Sequence, residues 1–216
     1  MFFASLSRFP AAASLQLLTD WATGRDCYLC AAPARALLCG PCEASLPSAA
    51  ALDRCLRAPF EYRFPLDRLV QRFKFAGDLA LGRYLGERLA ACVADEAPPD
   101  LLVAPPLATP RLRTRGFNQS VELARYVGRR LHLRVAADAL EKTRETLPQQ
   151  GLGRRARRRN LRGAFRCRAN VRGLRIALVD DVYTTGATAR EIGDTLRRAG
   201  AREVVVWAVA RAPGPR

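Results

Sequence analysis

Residues 176–188 read IALVDDVYTTGAT, and the order of residue types along this stretch decides the fold class. Ile176 to Val179 is a short apolar run with β-branched residues, entered from the turn-like Arg172-Gly173 and followed by polar residues. That is the pattern of a strand buried on both faces of a parallel sheet. The spacing predicts that Asp180 and Asp181 stand at the carboxyl end of the strand, the edge where ligands collect in open α/β sheets. Two adjacent carboxylates there can accept hydrogen bonds from the 2- and 3-hydroxyls of a ribose. Thr184, Thr185, Gly186, Ala187 and Thr188 follow as a loop. Gly186 permits a backbone that turns successive N–H groups inward, the threonines add hydroxyls, and a helix beginning near Ala187 aims its positive end at the same spot. A dianionic phosphate fits there. Asp-Asp and Thr-Thr-Gly also suit plain strand ends and helix caps, so it is their conjunction, and not either pair, that points to a ribose phosphate.

Outward from this stretch, both flanks continue an α/β pattern. Leu66, Leu69, Val70 and Phe73 fall at i, i+3, i+4, i+7 and predict a helix over 66–75, broken by Gly77. Leu81, Leu85 and Leu89 predict a second helix over 79–93, and Pro98-Pro99 ends the region. A strand over 101–104 leads to Pro105-Pro106, a basic turn over 111–116, and a helix from about Asn118 to Leu131. His132, the single histidine, reads as a helix-end residue rather than part of a catalytic triad. Residues 203–210, EVVVWAVA, close the domain as a buried strand.

The chain of 216 residues with 49% hydrophobic content is long enough for one α/β core and a small appendage. Of its formal charge of +16, a surplus of fifteen lies between Arg111 and Arg175, where nineteen Arg and Lys face four acids. An anionic partner is expected there, polyphosphate or nucleic acid. The apolar N-terminus is interrupted by Arg8, Pro10 and Gln16, unlike a secretory signal. No window approaches the roughly 20 apolar residues of a membrane span. A short amphipathic helix before the first cysteine and a cytoplasmic protein are expected.

Cys27-Tyr-Leu-Cys30 and Cys39-Gly-Pro-Cys42 form two C-x-x-C knuckles. Four thiolates at this spacing suit one tetrahedral Zn2+ with no open catalytic position, and Gly40 is expected to supply the tight turn of the second knuckle. Two disulfides or a redox C-x-x-C are the competing readings, disfavoured by a cytosolic setting and by the lack of a thioredoxin-like βαβ context. Cys55, Cys92 and Cys167 are isolated and are expected to be buried, inert thiols. The division predicted is 1–60 for an N-terminal helix and a four-cysteine zinc module, and 61–216 for the α/β domain.

The 176–188 stretch resembles the phosphoribosyl-pyrophosphate (PRPP) loop of type I phosphoribosyltransferases. Further segments extend the likeness: Val103-Ala-Pro-Pro106 with Arg115-Gly-Phe-Asn-Gln119, Lys142-Thr-Arg144 through Gln149, and Arg159-Asn160 through Ala164-Phe165. With the cysteine knuckles in front of them, these resemble the ComF family over essentially the whole chain. The resemblance implies a type I phosphoribosyltransferase fold, a parallel Rossmann-like sheet flanked by helices, behind a zinc knuckle or ribbon. It also implies a link to natural competence and DNA uptake, with single-stranded DNA and DNA-processing competence proteins as partners. In the type I family the two acids hold the ribose hydroxyls, which gives Asp180 and Asp181 the catalytic role. The Thr-Gly loop, here Thr184 to Thr188, holds the 5-phosphate, and Mg2+ accompanies PRPP.

On chemical grounds Arg115 is the candidate for the pyrophosphate side, with Lys142 and Arg144 as weaker candidates from a hood over the site. Thr184 stands where hypoxanthine-guanine phosphoribosyltransferases carry an Asp, which disfavours a 6-oxopurine acceptor. The alternative reading is a non-catalytic single-stranded DNA-binding factor. It would use the phosphate site together with Arg154, Arg155, Arg157, Arg158 and Arg159, five cations in six positions. Only Phe165 is close by for base stacking. The sequence leaves open whether the loop turns over PRPP, binds a nucleotide as a sensor, or cradles a DNA phosphate.

Overall fold

The computed structural model describes residues 26–49, 55–107, 109–144 and 154–213. The chain divides into two compact units, Met1–Leu46 and Pro47–Arg216. The strands β1 (Leu56–Arg57) and β2 (Phe60–Glu61) both pair in parallel with β8 (Glu203–Arg211) in the second unit. The expected N-terminal helix lies outside the described residues. The first unit contains α1 (Gly40–Ala44) and the four knuckle cysteines.

In the second unit a parallel sheet runs in the order β1-β8-β7-β3-β4, with β7 at Arg175–Tyr183, β3 at Leu101–Val103 and β4 at Val135–Ala136. Alternation along β3 and β7 splits the core in two. Leu101, Val103, Ile176 and Leu178 pack with Ile192 and Leu196 of α7 (Ala187–Arg198). The intervening Leu102, Ala177 and Val179 are equally buried and leave the other face to α2 (Leu66–Ala76), α3 (Leu79–Cys92) and α5 (Gln119–Leu131). A strand covered by helices on both sides has no polar face, which is why 176–179 reads as an unbroken apolar run.

The helices start and stop for local reasons. Asp78 caps α3 by accepting from the Leu81 N–H at 3.2 Å, and Asn118 caps α5 by accepting from the Ser120 N–H at 3.0 Å. His132 ends α5 in the left-handed region, at φ 56°. The α3 and α5 backbones approach so closely that a Cβ on Gly86 would lie 2.6 Å from the Tyr126 Cβ.

Two expectations are corrected, one by long-range pairing and one by a local helix. The strand predicted over 176–179 extends to Tyr183, because β8 is nine residues long and stays hydrogen-bonded to it as far as the Tyr183–Arg211 pair. The basic turn over 111–116 is instead helical, α4 (Thr109–Arg115), closed at Gly116 whose N–H donates to the Leu112 carbonyl at 2.8 Å. A small antiparallel pair, β5 (Leu140–Lys142) with β6 (Phe165–Cys167), and the helix α6 (Arg154–Leu161) form a separate layer. Ala139, Leu140, Leu161 and Phe165 of that layer join the α7 side of the core. Among the described residues no helix is long and apolar enough to cross a membrane.

Candidate functional site

In the first unit the four knuckle sulfurs lie within 4.8 Å of one another, and Cys30 Sγ is 3.6 Å from Cys39 Sγ. A tetrahedral Zn2+ with bonds near 2.3 Å needs sulfurs about 3.8 Å apart, so the four thiols can hold a zinc ion. The Ala31 N–H donates to the Cys27 carbonyl at 2.9 Å, and Cys39 is the N-cap of α1. In the second knuckle Gly40 opens α1 and has no left-handed backbone, so the tight turn expected of it is a helix start; just after the first knuckle Ala31 is left-handed, at φ 58°. Burial pushes the Cys27 thiol up, but the backbone N–H groups of Cys30, Cys39 and Leu29 outweigh it and bring it down to about 6. Hydrogen bonds with Cys39 and Cys30 hold the Cys42 proton on and raise its pKa. Among the remaining cysteines the expected burial fails: Cys55 and Cys92 are exposed and Cys167 is half-buried.

In the second unit β3 stops at the Val103–Leu178 pair, whereas β7 continues along β8. The acids therefore stand beyond the end of β3 while still inside a hydrogen-bonded strand. Asp180 Oδ1 accepts from Ser120 Oγ at 2.9 Å and from the Asp181 N–H at 2.9 Å. Asp181 Oδ2 pairs with Lys74 Nζ at 2.8 Å, with 14% and 18% of the two side chains exposed. Burial and then the adjacent Asp181 charge raise the Asp180 carboxyl from 3.8 to about 7, against the pull of Ser120 and Lys74. Lys74, Gln119 and Ser120 are site residues that sequence reasoning missed. Gln119 and Ser120 had signals, as the residues completing and following the RGFNQ segment, whereas Lys74 looks like one polar position of an amphipathic helix.

Beyond the acids, Asp180, Val182, Tyr183, Thr184, Thr185, Gly186, Ala187, Thr188 and Ala189 line one hollow. Gly186 is the N-cap of α7 in the left-handed region, at φ 69°. A Cβ there would fall 2.1 Å from Tyr183 Oη and would displace that ring, and the left-handed backbone itself strains any residue other than glycine. The Ala187 N–H donates to Thr185 Oγ1 at 3.4 Å, and Thr184 is exposed.

Arg115 is braced and half-buried: Nη1 donates to Gln119 Oε1 at 3.0 Å, and its guanidinium lies 4.8 Å from the Phe75 ring centroid. Gln119 Nε2 in turn donates to the Lys74 carbonyl at 3.3 Å, and Asn118 Nδ2 to the Pro105 carbonyl at 2.9 Å. The Pro105-Pro106 loop, Arg115 and Lys74 are thus tied together through the start of α5. Lys142 lies in β5, paired with Phe165. Arg144 Nη2 donates to the Asn160 and Arg162 carbonyls at 2.9 and 2.8 Å, so its guanidinium ties the strand layer to the end of α6. Residues 145–149 lie outside the described residues. Arg154, Arg155, Arg157, Arg158 and Arg159 all fall on α6, and Arg159 is exposed.

The chain is 35% identical over 205 residues to DNA utilization protein YhgH of Escherichia coli O6:H1, covering 86% of this chain and 89% of that protein. It is 36% identical over 160 residues to competence protein F of Haemophilus influenzae, covering 70% of each. No family model matches the chain. Similar solved structures include the allosteric regulatory enzyme of purine biosynthesis, at 24% identity and TM-score 0.42 over 59% of this chain and 25% of that one. Another is TT1426 from Thermus thermophilus, at 18% identity and TM-score 0.39 over 62% and 85% of the two chains. The chain belongs to the ComF family, and its second unit is a parallel sheet flanked by helices.

The cysteine cluster and the acid pair each lead to a measurable outcome. The protein purified under reducing conditions binds about one Zn2+ per chain, and Cys30→Ser with Cys39→Ser lowers that content at least tenfold by metal analysis. The raised Asp180 carboxyl contributes stability that is fully present below about pH 4 and is lost as pH rises through about 7. Asp180→Asn keeps the Oδ1 acceptor, so at pH 8 it unfolds at higher denaturant than the native chain, by on the order of 2 kcal/mol, and the difference vanishes by about pH 4. An Asn variant no more stable at pH 8 contradicts the assignment.

Proposed function

We propose that this ComF-family chain binds PRPP, or a 5-phosphoribosyl nucleotide, at the carboxyl end of β7, and that it does so in the cytoplasm in the service of DNA uptake. The observation that carries the reading is the meeting, at one sheet edge, of two adjacent carboxylates with a Thr-Gly loop at the positive end of α7. Ribose hydroxyls are donors, and ionised carboxylates are acceptors only, so Asp180 and Asp181 suit the 2- and 3-hydroxyls. Near neutral pH the Asp180 carboxyl is balanced between its two forms, and a ligand that donates to it favours the ionised one. The 5-phosphate then falls to the hydroxyls of Thr184, Thr185 and Thr188 and to the start of α7.

If the domain is an enzyme, transfer from PRPP makes C1 of the ribose oxocarbenium-like, and the two fixed carboxylates stabilise that positive charge. Mg2+, when bound with PRPP, neutralises the leaving pyrophosphate. The names of the relatives, DNA utilization protein and competence protein, support the biological setting.

A second reading is favoured by the helical arrangement of the arginine run. Five arginines fall within α6, whose Leu161 is buried in the core, and a basic helix of this kind suits contact with the phosphates of a single DNA strand.

Isothermal calorimetry with PRPP and Mg2+ tests the first reading. The native chain binds, and replacing both Asp180 and Asp181 by Asn weakens binding at least tenfold; unchanged affinity removes the phosphoribosyl reading. For the second, log affinity for single-stranded DNA against log salt has a slope near −3 if about four arginines engage phosphates, at about −0.7 each. Gln at all five arginines flattens that slope, and a slope that survives places the DNA elsewhere.

A further inference from the structure

Beside the acid pair stands a cation, Lys74, whose placement the phosphoribosyl reading does not use. Lys is found only at 74 and 142 among the 36 Lys and Arg residues of the chain. In a sequence that otherwise meets anions with Arg, an ammonium at the acid pair selects for what Arg lacks. It is a compact point charge on a flexible four-carbon stem, able to exchange one partner for another, where a guanidinium is a planar fork best suited to a fixed bidentate partner.

Its surroundings fit that use. The base of the side chain is held, because the Lys74 carbonyl accepts from Gln119 Nε2, and Gln119 is 2% exposed with its Oε1 committed to Arg115. The ammonium reaches Asp181 Oδ2 at 2.8 Å and the Lys74 side chain is 18% exposed, so the side chain is neither fully buried nor dispersed in solvent. In a ribose 5-phosphate the 5-phosphate and the C1 substituent lie at opposite ends of the sugar, and C1 neighbours the 2-hydroxyl that the acids are shaped to hold. The Thr184–Thr188 loop supplies donors for the 5-phosphate. Lys74 comes from α2, outside that loop, and reaches the hydroxyl-binding acid in company with Arg115 and the Pro105-Pro106 loop.

We infer that Lys74 receives the diphosphate at C1 of the ligand, and that its ion pair with Asp181 is the ligand-free position of the same ammonium. The inference rests on the phosphoribosyl reading of the site. Ligand entry is then an exchange: Asp181 gives up the ammonium and accepts a ribose hydroxyl, while Lys74 gives up a carboxylate and takes phosphate oxygens. No charged group loses a partner in the exchange, which matters at a site where both groups are largely desolvated. Lys74 thereby distinguishes PRPP from a ligand lacking the C1 diphosphate.

The test compares PRPP with ribose 5-phosphate, both with Mg2+, by calorimetry on the full zinc-bound chain. In Lys74→Gln, PRPP affinity falls at least about tenfold while ribose 5-phosphate affinity stays within about threefold, so the preference for PRPP collapses. Loss of both affinities by the same factor makes Lys74 a mere partner of Asp181 and overturns the inference, as does an unchanged preference. Thermal melting establishes that the variant is folded. If Lys74→Gln does not fold, Lys74→Arg keeps the charge on Asp181 but not the mobile ammonium. Its preference for PRPP is expected to drop at least about threefold, and a native preference overturns the inference. A native chain that binds neither ligand removes the phosphoribosyl reading itself, whereas one that binds both, with variants of native preference, removes the role of Lys74 alone.

Discussion

Two carboxylates on consecutive residues of one strand, partly withdrawn from water, are the constraint around which the second unit is arranged. Their mutual repulsion is offset by groups from two helices: the Ser120 hydroxyl at the start of α5 holds Asp180, and the Lys74 ammonium in the last turn of α2 holds Asp181. The offset is incomplete, as the upward displacement of the Asp180 carboxyl records. A fold that keeps such a pair holds an unfavourable arrangement at this strand end, the kind of perturbation that marks a candidate functional site. The same pair is exposed to the sheet edge only because β3 ends at Val103 while β8 supports β7 as far as Tyr183.

The polar bracing around the acids is shared. Gln119 is buried with both ends of its amide engaged, one on the Lys74 backbone and one on Arg115. Asn118 caps α5 with its oxygen and ties the Pro105 carbonyl with its nitrogen. Two consecutive amides thus fix the start of α5, the loop after β3 and the end of α2 relative to one another. Buried polar groups that are fully satisfied specify one arrangement, which is what a site needing sub-ångström placement of donors demands.

The first unit faces a different physical problem. Its described residues bury few apolar side chains, Cys27, Ala34, Leu38 and Leu46 among them, too little to offset the conformational entropy of ordering the knuckles. Four thiols gathered within 4.8 Å supply the alternative, since binding a metal ion there couples directly to folding. The second unit needs no such device, because α7 and the α2–α3–α5 layer cover both faces of its sheet.

What the sequence by itself determined was whatever is local. The unbroken apolar run at 176–179, the 3.6-residue spacing of Leu66 to Phe73, the Gly-hinged Thr loop and the two cysteine knuckles each carry their meaning in a few consecutive residues, and the resemblance to the ComF family followed from their order. Tertiary structure decided whatever depends on a partner distant in the chain. The length of β7 is set by β8, and the placement of β1 and β2 in the second unit is set by that same strand. The exposure of Cys55 and Cys92 likewise follows from packing. The site's own wiring is the clearest case. Ser120 and Lys74 lie 60 and about 107 positions from the acids they hold, so no window of sequence contains both members of either pair. A lone Lys on an amphipathic helix has the same local signature whether it faces water or a buried carboxylate, and only the packing of α2 beside the end of β7 tells the two apart.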